Sequence, residues 1–549
     1  MAFLFYIIFT MLKIKKTIYM PFLWCLPIAF LPLHACSKQT IDVITWKIPL
    51  QKNSLDSHFF SELINKYNSE IANSKLYLPV NLQFTFNRNN LFTKTSLDLI
   101  TNNKEIPNLF LHYPSLANIA ASYDRTLNLQ SIAKNSGIDK RFLMSDEAFG
   151  IENQKNVHFL PFGSISDNFI INNWLLGLYL NKLTEFIAKN NLNFTLFKKD
   201  IPHKIFDKVT NIYNSLSNDD KLELEKRWET KKLKFDTNFI KINANFVFSD
   251  DLFCSNIGLM QISDYISNSL SNQTRDEPVS VFFVRHSANY AYSLLFNYAH
   301  NDMGEYFLKR NENSGLLNYD FNTFEEQKSI KKLYGFLFEH MQNGSLSVLN
   351  GTINPTETYN LRNKMFMLAS GRVFHTLKDE ISKHPTEYSI FSAPTKNNVT
   401  DLQEKGSFLI QGNNIIAIKK TDFENKSAMN FLNWIYNKNN IKNWIIDGKN
   451  FMLTPIEYIS YVMGYIFPSN NFEKNFGKKE EQNLAIKSFL NLLENKKLVA
   501  FQEPVDINSN RFRKNIEWAI NEYMYNSIKY REKITFDEFL EKLKKGLSL

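Results

Sequence analysis

The chain has 549 residues, of which 44% are hydrophobic, 22% are charged and 17 are glycine. A single core rarely grows past about 250–300 residues, so this length predicts two lobes, and the composition excludes a disordered chain, a collagen-like fibre and a multi-span membrane protein. The formal charge of +9 is dispersed along the sequence, with no long basic stripe, so nucleic acid is not an expected partner.

The N-terminal segment carries the first strong signal. Lys13, Lys15 and Lys16 precede an apolar run over residues 21–33, and His34-Ala35-Cys36 follows. A short basic segment, a short apolar core and a small residue describe a secretory leader. The apolar core is too short and too interrupted by proline for a spanning helix of about 20 residues. Leu33-His34-Ala35-Cys36 resembles a bacterial lipobox. That resemblance implies a leader over residues 1–35, cleavage before Cys36, lipidation of Cys36 and residence on the outer face of the cytoplasmic membrane. An uncleaved anchor is the alternative, and Met1 and Met11 are both candidate starts. The other cysteines, Cys25 and Cys254, form no spaced set for a disulfide framework. Cys254 is expected to be a buried small hydrophobe and not a nucleophile.

No G-x-S-x-G, H-E-x-x-H, C-x-x-C or phosphate-loop motif occurs, and the ten histidines lack metal-ligand spacing. Neither an enzyme nor a bound metal or cofactor is expected.

Past the leader, residues 41–46 alternate and are β-branched, which predicts a strand. Phe59, Phe60, Leu63, Ile64 and Tyr67 recur with helical spacing over residues 57–68. Strands are predicted at 80–86 and 106–111, with a short helix at 118–123. Leu160-Pro161-Phe162-Gly163 breaks two apolar stretches and is expected to mark the first crossing between lobes. Residues 186–233 read as charged, amphipathic helices. A buried strand over 279–284 is followed by Arg285-His286-Ser287-Ala288-Asn289-Tyr290 and a helix to about residue 299. Further helices are predicted at 324–340 and 428–436, strands at 364–368 and 408–419, and a helical tail over 511–549 broken near residues 534–536. Alternating strands and helices imply parallel sheets, whose ligands bind at the carboxyl ends of strands.

In this order the segments resemble the family-1 extracellular solute-binding proteins of ABC transporters, the relatives of maltose- and glycerol-3-phosphate-binding proteins. The resemblance rests on Trp46-Lys47, Leu63-Ile64-Asn65-Lys66-Tyr67-Asn68, Ile106-Pro107-Asn108-Leu109 and Leu160-Pro161-Phe162. It continues in Lys364-Met365-Phe366-Met367 with Ser370-Gly371, in Gly412-Asn413-Asn414-Ile415-Ile416-Ala417-Ile418-Lys419 and in Gly464-Tyr465-Ile466-Phe467-Pro468-Ser469. The resemblance implies an α/β, two-lobed periplasmic-binding-protein-like (type II) fold with an interlobe cleft. The lobes are expected over 36–161 plus 368–436 and over 162–367 plus 437–549, with extra length around 190–275. It also implies a monomer that binds a small solute (a sugar, polyol or polyol phosphate), contacts an ABC permease and uses no cofactor. A surface interaction lipoprotein on the same fold, without a transport ligand, is the alternative.

Such a cleft needs aromatic faces and fixed polar groups at strand ends and crossings. The candidates are Trp46, Tyr113, Ser115 and Ser164, then Arg285, His286, Asn289 and Tyr290. Ser370, Gly371 and Arg372, Gln411, Gly412 and Asn413, and Tyr465 complete the set. Core packing is the competing role for Trp46, an ordinary loop for Tyr113 and Ser115, and bracing of the hinge for Tyr465. Arg285 and Arg372 could hold a phosphate or carboxylate through paired N–H groups, or serve structure.

Overall fold

A computed structural model describes residues 42–138, 156–229, 233–271, 279–311, 316–349, 361–372, 381–398, 400, 405–469, 472 and 484–547. Cys36 and the leader lie outside the described residues.

Two five-stranded sheets organise the chain. The first contains β1 (Ile44–Ile48), β2 (Val80–Phe84), β3 (Leu109–His112) and β4 (Phe159–Ile165). The second contains β5 (Asp167–Asn172), β6 (Ser280–Val284), β7 (Leu346–Val348), β8 (Lys364–Ser370) and β9 (Tyr388–Ser392). A short strand β10 (Ser407–Leu409) precedes β11 (Gln411–Ala417), which completes the first sheet in the order β2-β1-β3-β11-β4. The second sheet runs β7-β6-β8-β5-β9. In each sheet three strands are parallel, and the remaining two begin with an antiparallel neighbour.

Both sheets are covered on both faces, and the strands show why. Leu109, Leu111, Ile415 and Ala417 enter one core of the first lobe, while Phe110, Ile416 and Ile418 enter another on the opposite face. In the second sheet Phe282, Val284, Phe366 and Leu368 face one core, and Phe283, Met367 and Ala369 the other. Successive side chains alternate between faces, so a strand buried on both reads as an unbroken apolar run. The segment 190–275 belongs to the second lobe. Phe206, Val209, Leu224, Trp228, Ile240 and Leu259 lie in its main core. Cys254, in contrast with expectation, is exposed. It follows Phe253, which takes the inward position. Partial burial of the sulfur, with Asp251 and Asp250 nearby, pushes the thiol up and keeps it unreactive.

The lobes are joined by three passages of chain. Ser166 alone separates β4 from β5. Ile410 alone separates β10 from β11. The third passage is β12 (Val499–Phe501), which pairs in parallel with β10. These crossings differ from the expected lobe boundaries. A break at 367/368 would cut through β8, and β9 pairs with β5 in the second sheet. Residues 437–493 belong to the first lobe, where Trp444, Leu453, Ile456 and Tyr458 lie in the core, whereas Phe512, Ile516 and Phe539 of the tail lie in the second-lobe core. Residues 408–419 read as one strand, and the switch of partner at Ile410 leaves no local mark in the sequence.

Glycine permits the close approach at this junction. A Cβ on Gly412 would sit 2.1 Å from the carbonyl oxygen of Gly163, and one on Gly163 would sit 2.5 Å from Tyr465 Cβ. Neither can give way, because both belong to paired strands. Gly335, inside the helix Phe324–Gln342, has nothing within 4 Å of a built Cβ. Gly412→Ala is therefore expected to destabilise the protein by about 1–3 kcal/mol or more through overpacking. Gly335→Ala is expected to stabilise it by about 0.5–1 kcal/mol through helix propensity and reduced unfolded-state entropy. Urea unfolding of the two variants checks this, and equal midpoints would refute the junction's tight packing.

Candidate ligand-binding cleft

The strand directions decide where a site can form. β4 runs in the same direction as β3, because both are antiparallel to β11. Its end at Ile165 therefore lies at the carboxyl edge of the first sheet. β5 opposes β8 and starts at the carboxyl edge of the second. The one-residue link thus faces the two carboxyl edges toward each other, and a cavity of about 330 Å³ lies between them.

Four of the parallel-strand ends supply lining residues. Arg88 follows β2 and Tyr113 follows β3. Arg285, His286 and Asn289 follow β6, and Ser370 and Arg372 end β8. Gln411, Gly412 and Asn413 open β11 at the same edge, and Tyr465 follows the helix Pro455–Val462. Arg513 and Glu517, from the helix Ser509–Trp518, close the remaining side. A smaller cavity of about 60 Å³ continues toward the hinge past Pro161, Gly163, Ser164 and Glu503, and shares Tyr113 and Arg513 with the larger one.

Arg513 ties these parts together. Its Nη1 lies 2.9 Å from Glu503 Oε2, and its Nη2 donates to Asn289 Oδ1. The guanidinium carbon lies 5.8 Å from the centre of the Tyr113 ring, across the lobes. Burial works to lower its pKa, but Glu503 and Tyr113 outweigh burial and hold it high. Arg372 pairs with Asp56 of the helix Leu55–Ile71, which joins the second lobe to the first. Asn413 Nδ2 donates to Tyr465 Oη at 2.8 Å. Asn413 is 4% exposed, and its Oδ1 has no hydrogen-bond partner among the described residues.

The field in the cleft is positive. His286 is lowered to about 3 by burial, then by Arg285 and Arg513. His112, which ends β3, is lowered to about 3 by burial and by Arg88. Both are therefore neutral over the physiological range. Asp167, the first residue after the link, is raised to about 6 by burial, although Asn289 and Gln411 each donate to its Oδ1 at 3.3 Å.

Ten expected residues share the larger cavity: Tyr113, Arg285, His286, Asn289, Ser370, Arg372, Gln411, Gly412, Asn413 and Tyr465. Five others lie elsewhere. Trp46 is fully buried in the first-lobe core, packed edge-on against Phe60 and Phe431. Its strand is buried on alternate positions, and Trp46 falls on an inward one. Ser115 is buried in the first turn of the helix Pro114–Ser122. Ser164 lines the hinge-side cavity. Tyr290 points into the second-lobe core near Phe282. Gly371 packs beneath the link, where a Cβ would meet Ile165 and Asn168. Sequence reasoning missed Arg88, Ile165, Asp167, Arg513 and Glu517. Arg513 and Glu517 are one turn apart on a helix that reads as an ordinary tail, so only the tertiary arrangement reveals them. Among the described residues, no group of three His, Cys, Asp or Glu side chains is placed to hold a metal ion.

Residues 409–524 match the model of a family described as "Putative mycoplasma lipoprotein, C-terminal region". That stretch holds Gln411, Gly412, Asn413, Tyr465, Arg513 and Glu517 of the cavity. An "Uncharacterized lipoprotein" of Mycoplasma pneumoniae is 26% identical over 187 residues, covering 32% of this chain and 22% of its own length. An "Uncharacterized protein" of the same organism is 26% identical over 189 residues, covering 32% of this chain and 37% of its own. The chain thus spans well under two thirds of these relatives' length. Among solved structures, the fold is similar to the cyclic alpha-maltosyl-1,6-maltose binding protein from Arthrobacter globiformis. The TM-score is 0.50 at 10% identity, over 92% of this chain and 100% of that one. It is also similar to the GacH receptor of Streptomyces glaucescens, solved unliganded and with acarbose (TM-score 0.52, 9% identity, 91% and 96% covered). UgpB from Mycobacterium tuberculosis, solved with glycerophosphocholine, has TM-score 0.50 at 11% identity, over 91% and 99%. The chain therefore has the two-lobed α/β fold of solute-binding proteins.

Asp167 gives the site a pH signature. Its folded pKa of about 6 lies above the ordinary value of 3.8, so the folded state holds the proton more tightly than the unfolded one. Ionised Asp167 thus costs stability above about pH 6, and the cost disappears as pH falls toward 3.8. Asp167→Asn is expected to be more stable than the parent at pH 7.5, by up to about 3 kcal/mol, and equal to it near pH 4. Urea unfolding at both pH values checks this. An advantage independent of pH would mean that Asp167 does not titrate in this range.

Proposed function

We propose that this protein captures a small solute between its lobes and delivers it to an ABC permease, held at the outer face of the membrane by lipid on Cys36. The solute is a sugar, polyol or polyol phosphate. The carrying observation is the cavity between the carboxyl edges of two sheets, lined from both lobes by mixed aromatic and polar side chains. Its volume of about 330 Å³ stands at the small end of ligand sites, which span about 300–1,000 Å³. Tyr113 and Tyr465 offer faces for C–H groups. Gln411 and Asn289 offer amide groups, and the unsatisfied Oδ1 of buried Asn413 accepts a hydroxyl.

No catalytic step enters this reading. A solute that touches both lobes binds the closed arrangement better than the open one, and that difference in affinity is the whole driving force for closure. The three passages of chain form a hinge about which the lobes can rotate. The Arg372–Asp56 pair spans the two lobes, and so adds to the closed arrangement beyond the ligand's own contacts.

The test is a thermal-shift screen of the full chain against sugars, polyols, their phosphates and sugar acids, followed by X-ray scattering with the best compound. One chemical class is expected to raise Tm, since a ligand at a hundredfold excess over Kd stabilises the folded state by about 2.7 kcal/mol. Binding should reduce the radius of gyration. Asn413→Ala should weaken affinity at least tenfold, with unchanged circular dichroism. A panel without any shift, and an unchanged radius, would instead support a surface interaction lipoprotein that has no transport ligand.

A further inference from the structure

We infer that capture of the solute takes up a proton at the hinge, on the carboxyl of Asp167, so that the cleft holds its solute more tightly as the medium becomes more acid. This rests on the reading of the cleft as a capture site.

Asp167 is the first residue after the one-residue link, and it is 8% exposed. Its contacts reach both lobes. Asn289, from the helix Ser287–Tyr298 of the second lobe, and Gln411, which opens β11 in the first sheet, both donate to its Oδ1. Oδ2 receives no hydrogen bond from any described residue. Both amides also line the cavity, so Asp167 lies one side chain behind the wall that a solute would touch.

Two neutral donors are poor compensation for a buried carboxylate. The cation that acts on Asp167 is Arg513, whose guanidinium is already engaged by Glu503 and Asn289. The other elements around Asp167 offer little. β4 and β11 carry no titratable side chain, β9 carries only Tyr388 at its far end, and the helix Ser287–Tyr298 carries only tyrosines. β8 leads to Arg372, which is paired with Asp56, and β6 leads to Arg285 and the neutral His286. The helix Ser509–Trp518 adds Glu517, a second carboxyl that burial pushes up.

Water decides the balance. In an open cleft, water reaches Asp167 past the two amides and solvates the ionised carboxyl. A solute seated on those amides between closed lobes removes that water, and burial then favours the neutral acid. In the arrangement seen here burial outweighs both amides and Arg513 and raises Asp167 to about 6. Closure thus forms an O–H bond at Oδ2, with the proton taken from the medium and no other bond broken. The effect is reciprocal: a proton on Asp167 favours the closed, solute-bound state by the same factor. Affinity therefore rises as pH falls through about 6 and levels off once the open form is protonated too.

The experiment is calorimetric titration of the full chain with glucose, maltose, glycerol and glycerol 3-phosphate, in two buffers of different ionisation enthalpy, whose difference counts protons. About half a proton should be taken up per solute bound at pH 6, and binding should be about fivefold tighter at pH 5 than at pH 7.5. Asp167→Asn keeps an oxygen for both amides and carries N–H where the acid carries O–H. It should take up no proton at the hinge, and bind at both pH values about as tightly as the parent does at pH 5. In Glu517→Gln the uptake should persist, whatever the effect on affinity. The phosphate's own titration is common to parent and variants and cancels in their difference. Solute binding with no uptake and no pH dependence would overturn this inference and leave solute capture standing. Uptake unchanged by Asp167→Asn, or abolished by Glu517→Gln, would overturn the assignment to Asp167. Failure of every compound to bind a folded chain would overturn both this inference and the capture reading.

Discussion

The architecture depends on the link of one residue between β4 and β5. An extended chain that leaves the first sheet at its carboxyl edge and enters the second at once must bring the second sheet's carboxyl edge to meet it. Every parallel strand then ends at the interface between lobes. The loops that follow those strands have nowhere to point except into the shared space. Arg88, Tyr113, Arg285 and Arg372 come from four separate stretches of sequence, and strand polarity alone gathers them. Gly163 and Gly412 let the two backbones pass close enough for this geometry.

The charges of the cleft are arranged by depth and partner. Arg372 and Arg513 are answered by acids and bridge the lobes, so they serve the closed shape as much as any ligand. Burial pulls both guanidiniums down, but Tyr465 and Asp56 hold Arg372 high, and Glu503 and Tyr113 hold Arg513 high. Asp167 sits at the pivot itself, accepting from one amide on each side. Its raised pKa is the cost of burying a carboxyl where the chain changes sheets.

Much of this was legible in the sequence, and the boundary of legibility is physical. Strands buried on both faces announce themselves as continuous apolar runs, as at 109–112 and 280–284. Turn residues after such runs mark strand ends, which is why Tyr113, Arg285, Asn289 and Gln411 could be named. Trp46 was misplaced because a strand's final turn outward cannot be read from one aromatic, and this one faces inward between Phe60 and Phe431. Arg513 and Glu517 were invisible because nothing local distinguishes a helix that closes a cleft from one that coats a surface. The lobe boundaries failed at Ile410, where partner exchange costs no residue and alters no pattern.

The position of β11 has a consequence for how the polypeptide acquires its shape. This strand lies between β3 and β4 but follows them by about 300 and about 250 residues, so the first sheet has no centre until that late segment has been synthesised. The second sheet is built wholly from β5 to β9 and waits for nothing that comes later. Synthesis from the N-terminus thus makes the first lobe's strands early and completes their sheet late. The second sheet is thus an insertion within an unfinished partner, although the core beneath it still awaits Phe512, Ile516 and Phe539 of the C-terminal helices. Contacts of such long sequence separation are slow to form, and open strand edges invite wrong pairing while they wait.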